Sequence, residues 1–173
     1  MNKIKLTLTL LLLTLITLRS AAQEPSRTDK RAKAKVERKV DDFTSQITIN
    51  SPIRSRGELS PAILYKYIGK KDTTYYLSLH AHGASVVVDG TGVTILFTDG
   101  RKLEKPGKID VEVDNSHYGG YRYDAFIPLT QSDLQLLSTK TIDKFRLYIF
   151  DTNLGGSKGE EFKALVNYIM AAN

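Results

Sequence analysis

The sequence predicts an α+β fold: a mainly antiparallel β-sheet or two-sheet sandwich of about 7–9 strands, with one short internal helix and a C-terminal amphipathic helix packed on the sheet. Three observations predict it. Apolar and polar residues alternate along runs rich in Tyr, Thr, Val and Ile, two Asp-Gly pairs separate such runs, and an apolar stripe at helical spacing lies near the end of the chain. One curved sheet and two packed sheets both fit this pattern.

The first 22 residues have the features of a cleavable signal peptide. Lys3 and Lys5 precede an apolar core over residues 6–18, and the small residues Ser20-Ala21-Ala22 follow it. The core is shorter than the roughly 20 apolar residues of a membrane-spanning helix, although a retained anchor is the alternative interpretation. The chain has no cysteine, which excludes a lipidated cysteine and any disulfide. We therefore expect cleavage before Gln23 and a secreted or periplasmic protein with no transmembrane segment after cleavage.

The positive charge of the chain is concentrated near its N-terminus. The formal net charge is +6, but the first 22 residues hold three bases, and residues 23–39 hold seven bases and three acids. Residues 23–39 carry almost no large apolar side chains, so they are predicted to be a basic flexible linker, or alternatively an arm that contacts anionic lipid or polysaccharide. Residues 40–173, the predicted single α+β domain, hold 15 bases and 16 acids. This near-neutral balance argues against nucleic acid as a partner.

The first strands are predicted from alternation and turn residues. Residues 47–49 form a strand that Pro52 ends, and residues 62–68 and 73–82 form a hairpin across a Gly-Lys-Lys-Asp loop. The pairs Asp89-Gly90 and Asp99-Gly100 lie between apolar runs, which indicates further hairpins because these residues tolerate positive φ. A meander is the simplest arrangement of these strands.

The later strands alternate as clearly. Residues 109–114 alternate three aliphatic with three acidic side chains, and residues 121–127 continue the alternation until Pro128. Residues 142–150 are predicted as one more strand, with Phe145, Leu147 and Ile149 on a single face.

Two helices are predicted from capping signals. Thr130 with Asp133 starts a short helix over residues 131–137. Ser157, three residues before Glu160, has the spacing of a capping box and starts the terminal helix. The apolar stripe of that helix is formed by Phe162, Leu165, Val166 and Ile169.

Part of the chain resembles a known group of proteins. The segments that carry the resemblance are residues 92–100, 123–129, 133–134, 137–140, 142 and 144–148, about half of the chain after the signal peptide. In these segments the sequence resembles small secreted proteins of unknown function from Bacteroidetes-type bacteria. The resemblance implies an exported protein of a Gram-negative bacterium, and it implies no activity, cofactor or functional residue.

Three histidines are the candidate metal ligands. His80 and His82 alternate on one predicted strand, so both imidazoles would project to the same face, and His117 lies in the glycine-rich loop near Asp114. A zinc site needs three or four ligands, so His117 would have to fold over that face. The alternative is that His80 and His82 are ordinary exposed residues.

The predicted acidic strand is the candidate for hydrolysis. Asp110, Glu112 and Asp114 share one strand face, and paired carboxylates can cleave glycosidic bonds or bind calcium. A solvated face that protects a sheet edge explains the same residues. No Gly-x-Ser-x-Gly motif, phosphate-binding loop or dinucleotide fingerprint is present, so no cofactor is predicted.

The aromatic cluster Tyr118, Tyr121, Arg122 and Tyr123 is the candidate binding site. The alternation of Tyr121 and Tyr123 with Ala125 and Ile127 favours burial of both rings instead. The sequence is best explained as an exported non-enzymatic binding or structural module of the bacterial cell envelope, with a protein, peptide or glycan partner. The alternative is a secreted glycan or peptide hydrolase that uses the acidic strand face or the histidine pair.

Overall fold

The computed structural model describes residues 35–52, 60–85, 92–106, 111–115 and 120–172. These residues form an α+β fold with two antiparallel sheets, which confirms the predicted fold class. The strands are β1 (Glu37–Val40), β2 (Ile47–Pro52), β3 (Ala62–Ile68), β4 (Thr73–Gly83), β5 (Val93–Phe97), β6 (Lys102–Lys105), β7 (Val111–Asn115), β8 (Tyr121–Pro128), β9 (Ile142–Leu147) and β10 (Phe150–Asn153). The helices are α1 (Gln131–Thr139) and α2 (Ser157–Ala171).

Two sheets, and not one curved sheet, organise the strands. The six-stranded sheet has the order β1-β2-β3-β4-β8-β7, and the four-stranded sheet has the order β10-β9-β5-β6. The predicted meander is wrong at β5, because this strand leaves the sheet of β4 and pairs with β6 and β9. The Asp89-Gly90 pair, on which that part of the prediction rested, lies outside the described residues. Residues 37–39, at the end of the predicted linker, belong to β1.

The core lies between the two sheets and under helix α2. One face of β4 contributes Leu77, Leu79 and Ala81, all completely buried. Tyr123 of β8 joins the sheets, because its ring lies 4.7 Å from the ring of Phe150 on β10. Every second residue of these strands is therefore removed from water, as the alternation in the sequence predicts.

Helix α2 closes one side of the core with the predicted stripe: Phe162, Leu165, Val166 and Ile169 are completely buried. The predicted capping box is wrong. The N-cap is Gly156, which has a φ of 64° and forms no side-chain cap. The carboxylate of Glu160 instead accepts hydrogen bonds from Thr141 and from Lys163. The predicted contact with the cap is therefore replaced by a tertiary partner, Thr141, and by a neighbour on the same helix, Lys163.

Helix α1 begins as predicted. The hydroxyl of Thr130 accepts from the backbone N–H of Asp133, and the Asp133 carboxylate accepts from the backbone N–H of Thr130 at 2.7 Å. The same carboxylate pairs with Lys105 of β6 at 2.5 Å and is almost completely buried. Burial by itself raises the pKa of Asp133, but the hydrogen bonds from Lys105 and Thr130 outweigh it and hold the pKa below its usual range.

The predicted strand over residues 142–150 is two strands. The chain reverses at Tyr148-Ile149, so that Leu147 pairs with Phe150, and Ile149 is 64% exposed instead of buried. Tyr148 has a φ of 59°, which a two-residue hairpin turn requires at its first central position. The Tyr148 ring packs edge-on against Tyr123, which is a tertiary contact that the local sequence does not reveal.

One lysine lies inside the fold. Lys66 of β3 is only 5% exposed and donates hydrogen bonds to the backbone oxygens of Met170 and Ala172 at the end of α2. Its amino group also lies 5.8 Å from the centre of the Tyr75 ring. Burial lowers the pKa of Lys66. The side chain thus stabilises the carbonyl end of the helix, where positive charge is favourable.

Candidate functional site on the outer face of the six-stranded sheet

The structure does not bring the predicted aromatic binding cluster together. Tyr123 is completely buried, and its hydroxyl donates to the carbonyl oxygen of Ser85 at 2.5 Å. Tyr121 is partly buried against the same core, so the burial that alternation favours is confirmed for both rings. Arg122 projects from the other face of β8 and pairs with Asp124. Tyr118 lies outside the described residues.

The three candidate metal ligands also have separate environments. His80 is paired with Asp124, His82 is exposed, and His117 lies outside the described residues. Within the described parts of the chain, no group of three or more His, Cys, Asp or Glu residues is placed to hold a metal ion. The acidic strand, predicted over residues 109–114, is described only from Val111 onwards, as β7. In the register of β7 with β8, Glu112 lies opposite Asp124 and Asp114 lies opposite Arg122. Asp110 lies outside the described residues.

Four other aromatic residues meet on the outer face of the six-stranded sheet. This aromatic cluster consists of Tyr65, Tyr67, Tyr76 and Phe126, which come from β3, β4 and β8. Tyr65 lies opposite Tyr76 in the strand pairing, and Phe126 lies on the next strand along. The rings form a closed circuit of contacts with centroid distances of 4.7–6.1 Å. Cross-strand pairs of this kind stabilise a sheet even where one side faces water.

The aromatic cluster remains accessible to solvent. Phe126 is 45% exposed, although it is a large apolar residue, and the three tyrosines are half-buried. Burial raises the pKa of Tyr65 and of Tyr67, so both hydroxyls stay protonated and can donate hydrogen bonds. An exposed apolar patch with such donors is typical of an interaction surface.

A polar cluster adjoins the aromatic cluster on the same face. It consists of Ser78, His80, Arg122 and Asp124. The Nδ1 atom of His80 lies 2.5 Å from one carboxylate oxygen of Asp124, and the Nε atom of Arg122 lies 2.8 Å from the other. The Nε2 atom of His80 lies 3.3 Å from the hydroxyl oxygen of Ser78.

Asp124 is ionised in this arrangement. Burial by itself raises the pKa of its carboxyl group, but the hydrogen bonds and charges of His80 and Arg122 outweigh that effect and lower the pKa overall. An ionised carboxylate only accepts hydrogen bonds, so Nδ1 of His80 is the donor to Asp124. In the neutral form of the ring, the lone pair of Nε2 therefore faces the hydroxyl oxygen of Ser78.

No family of proteins, no characterised protein and no solved structure matches this chain. In the described part of the chain, none of the helices has the length and apolar character needed to cross a membrane.

Sequence reasoning missed this face because it treated each strand by itself. Tyr65 and Tyr67 alternate on one strand, and Tyr76 lies on the next, which is a detectable signal for a row of rings. Phe126 joins them only through the pairing of β4 with β8. Phe126 alternates along β8 with the buried residues Ala125 and Ile127, and this alternation was the local indication that its side chain faces outwards.

Proposed function

We propose that this protein is an exported binding module of a bacterial cell envelope, and that the aromatic cluster is its binding surface. The signal-peptide features of residues 1–22 and the resemblance to secreted Bacteroidetes-type proteins support the location. The observation that carries the function is the partly exposed circuit of rings formed by Tyr65, Tyr67, Tyr76 and Phe126 on one sheet face. Tyrosine and phenylalanine are enriched where proteins contact one another.

A protein partner fits this surface better than a glycan. Sugar rings stack on aromatic faces that are free, but the rings of Tyr76 and Phe126 lie 4.7 Å apart and within 12° of parallel, so each covers a face of the other. Each of these two rings therefore has at most one free face. Such a surface suits the apolar and hydrogen-bonding side chains of a protein.

Site-specific photocrosslinking tests this proposal. A benzophenone amino acid replaces Phe126 in the producing bacterium, and a second strain carries it at Lys102, which is exposed on β6 of the other sheet. We expect irradiation to produce a discrete, protease-sensitive adduct from position 126 and none of that mass from position 102. Identical adducts from both positions, or no adduct from position 126, would contradict the proposal. A protease-resistant adduct would identify a glycan instead.

Variants of the aromatic cluster provide a second measurement. Tyr76→Ser and Phe126→Ser each remove a ring from the middle of the surface without changing a core residue. Residues at the centre of an interface that act as hot spots contribute about 2 kcal/mol or more, so we expect the yield of the adduct from a photocrosslinker at position 65 to fall by about 30-fold. Lys102→Ser is the matched control, which should leave the yield unchanged.

A further inference from the structure

We propose that Ser78, His80 and Asp124 form an acyl-transfer site that hydrolyses carboxylic esters with an apolar acyl or aryl group. Ser78 is the nucleophile, His80 is the general base and Asp124 orients the imidazole. This activity goes beyond the binding function and does not depend on it. It moves the hydrolase alternative away from the acidic strand, and of the histidine pair suggested by the sequence it uses only His80.

The geometry satisfies the chain of contacts that serine catalysis needs. The Ser78 hydroxyl oxygen is 3.3 Å from His80 Nε2, and His80 Nδ1 is 2.5 Å from Asp124. A nucleophile next to a base, which is itself oriented by a third group, defines such a site irrespective of sequence order. A slightly long contact between nucleophile and base is common before substrate binds.

Asp124 sets the tautomer of the base. Because its carboxylate accepts from Nδ1, the imidazole lone pair at Nε2 faces the hydroxyl group that has to lose a proton. Arg122 holds the other carboxylate oxygen at 2.8 Å and keeps the carboxylate in place. Arg122 is therefore a positioning residue in this proposal.

The surroundings define the class of substrate. Ser78 lies directly opposite Phe126 in the strand pairing, and Tyr76 precedes it by two residues on the same face. The aromatic rings thus form an apolar shelf beside the nucleophile. Ser78 is 8% exposed, and the side chains of His80 and Asp124 are 13% and 19% exposed, so the three residues are shielded from bulk water but still reach the surface beside the open shelf. An ester with an apolar acyl or aryl group can rest on the shelf with its carbonyl carbon near Ser78.

The reaction balances with water as the only co-reactant. The Ser78 oxygen bonds to the carbonyl carbon while its proton passes to His80 Nε2, and the alcohol leaves with that proton as the carbon–oxygen bond of the ester breaks. Water then attacks the acyl-serine, His80 takes its proton, and the proton returns to the Ser78 oxygen as the acid is released.

Labelling with an alkyl fluorophosphonate tests the nucleophile. The Ser78 oxygen displaces fluoride from phosphorus, and peptide mass spectrometry locates the adduct. We expect the adduct on Ser78 of the purified full chain and its loss in Ser78→Ala. Ser138→Ala is the matched control, because Ser138 lies on α1 with its hydroxyl donated to the carbonyl of Gln135, and its labelling pattern should equal that of the unmodified protein. An unmodified protein that gains no adduct, or gains it at another residue, overturns the proposal.

Hydrolysis of p-nitrophenyl butyrate tests the positioning role of Asp124. General acid–base assistance contributes about 100-fold or more, so Asp124→Asn should slow nitrophenolate release by at least that factor while the imidazole is still present. An equal rate in Asp124→Asn would show that an unassisted surface histidine is responsible and would overturn the proposal. Photocrosslinking from position 126 does not require Ser78, so failure of catalysis and failure of binding give different results.

Discussion

Gly159 provides the sharpest test of how α2 packs on the sheet. A Cβ atom at this position would lie 2.3 Å from the carbonyl oxygen of Ile142 and 2.9 Å from the Thr141 methyl carbon. Carbon and oxygen atoms approach to about 3.3 Å, so the helix of Gly159→Ala must move away from β9 by about 1 Å. Overpacking of this kind lowers the free energy of unfolding by about 1–3 kcal/mol, and the higher helix propensity of alanine offsets about 1 kcal/mol of that loss. We expect a net loss of up to about 2 kcal/mol in the free energy of unfolding.

Urea unfolding followed by circular dichroism measures this change, and position 167 provides the matched control. Asn167 is exposed on the same helix, and both Asn167→Ala and Asn167→Gly remove its hydrogen bonds to the carbonyls of Ser138 and Lys163. Alanine should be more stable than glycine at position 167 by about 1 kcal/mol, whereas glycine should be more stable at position 159. The same preference for alanine at both positions would refute the close approach of Gly159 to β9.

Three further changes test the interior by the same urea unfolding measurement. Asp133→Asn should lower the free energy of unfolding by about 1.5–3 kcal/mol at pH 7, since Lys105 loses a charged partner. The folded-state pKa of Asp133 is depressed, so this difference between the two proteins should shrink as the pH falls below 3.8, the ordinary pKa of an aspartate. Lys66 has a folded-state pKa below its ordinary 10.5, so the unmodified protein should gain stability relative to Lys66→Met as the pH rises towards that value; a pH-independent difference would contradict the burial of its charge. Gly83→Ala should cost about 1–3 kcal/mol, because its Cβ would lie 2.3 Å from the Phe150 ring, and the combination with Phe150→Ala should remove most of the added loss.

Features that depend on a few neighbouring residues were predictable from the sequence. The alternation along β4 determines that Leu77 and Leu79 are buried, and the stripe of Phe162 and Val166 determines which side of α2 faces the core. The cap of α1 at Thr130 was equally predictable, because its hydrogen bonds join residues three positions apart.

Predictions failed where a distant contact competed with a local one. Glu160 has the spacing of a capping residue, but its carboxylate accepts a hydrogen bond from Thr141, which directly precedes β9, instead. Residues 142–150 alternate like one strand, yet the contact of the Tyr148 ring with Tyr123 accompanies a reversal of the chain. A local sequence pattern cannot decide between these alternatives, because the competing contacts are distant in sequence. Thr141 is 19 residues from Glu160, and Tyr123 is farther still from Tyr148.

The sequence by itself determined the class of fold, the faces of its strands and helices, and the near-neutral charge of residues 40–173, because each follows from composition or short-range periodicity. Only the tertiary structure decided which side chains meet. Ser78 and His80 are two residues apart on β4, but Asp124 is 44 residues from His80 and reaches it only through the register of β4 with β8. Many weak contacts along the whole sheet together fix the register of the paired strands. That register places the serine, the imidazole, the carboxylate and the aromatic cluster on one surface.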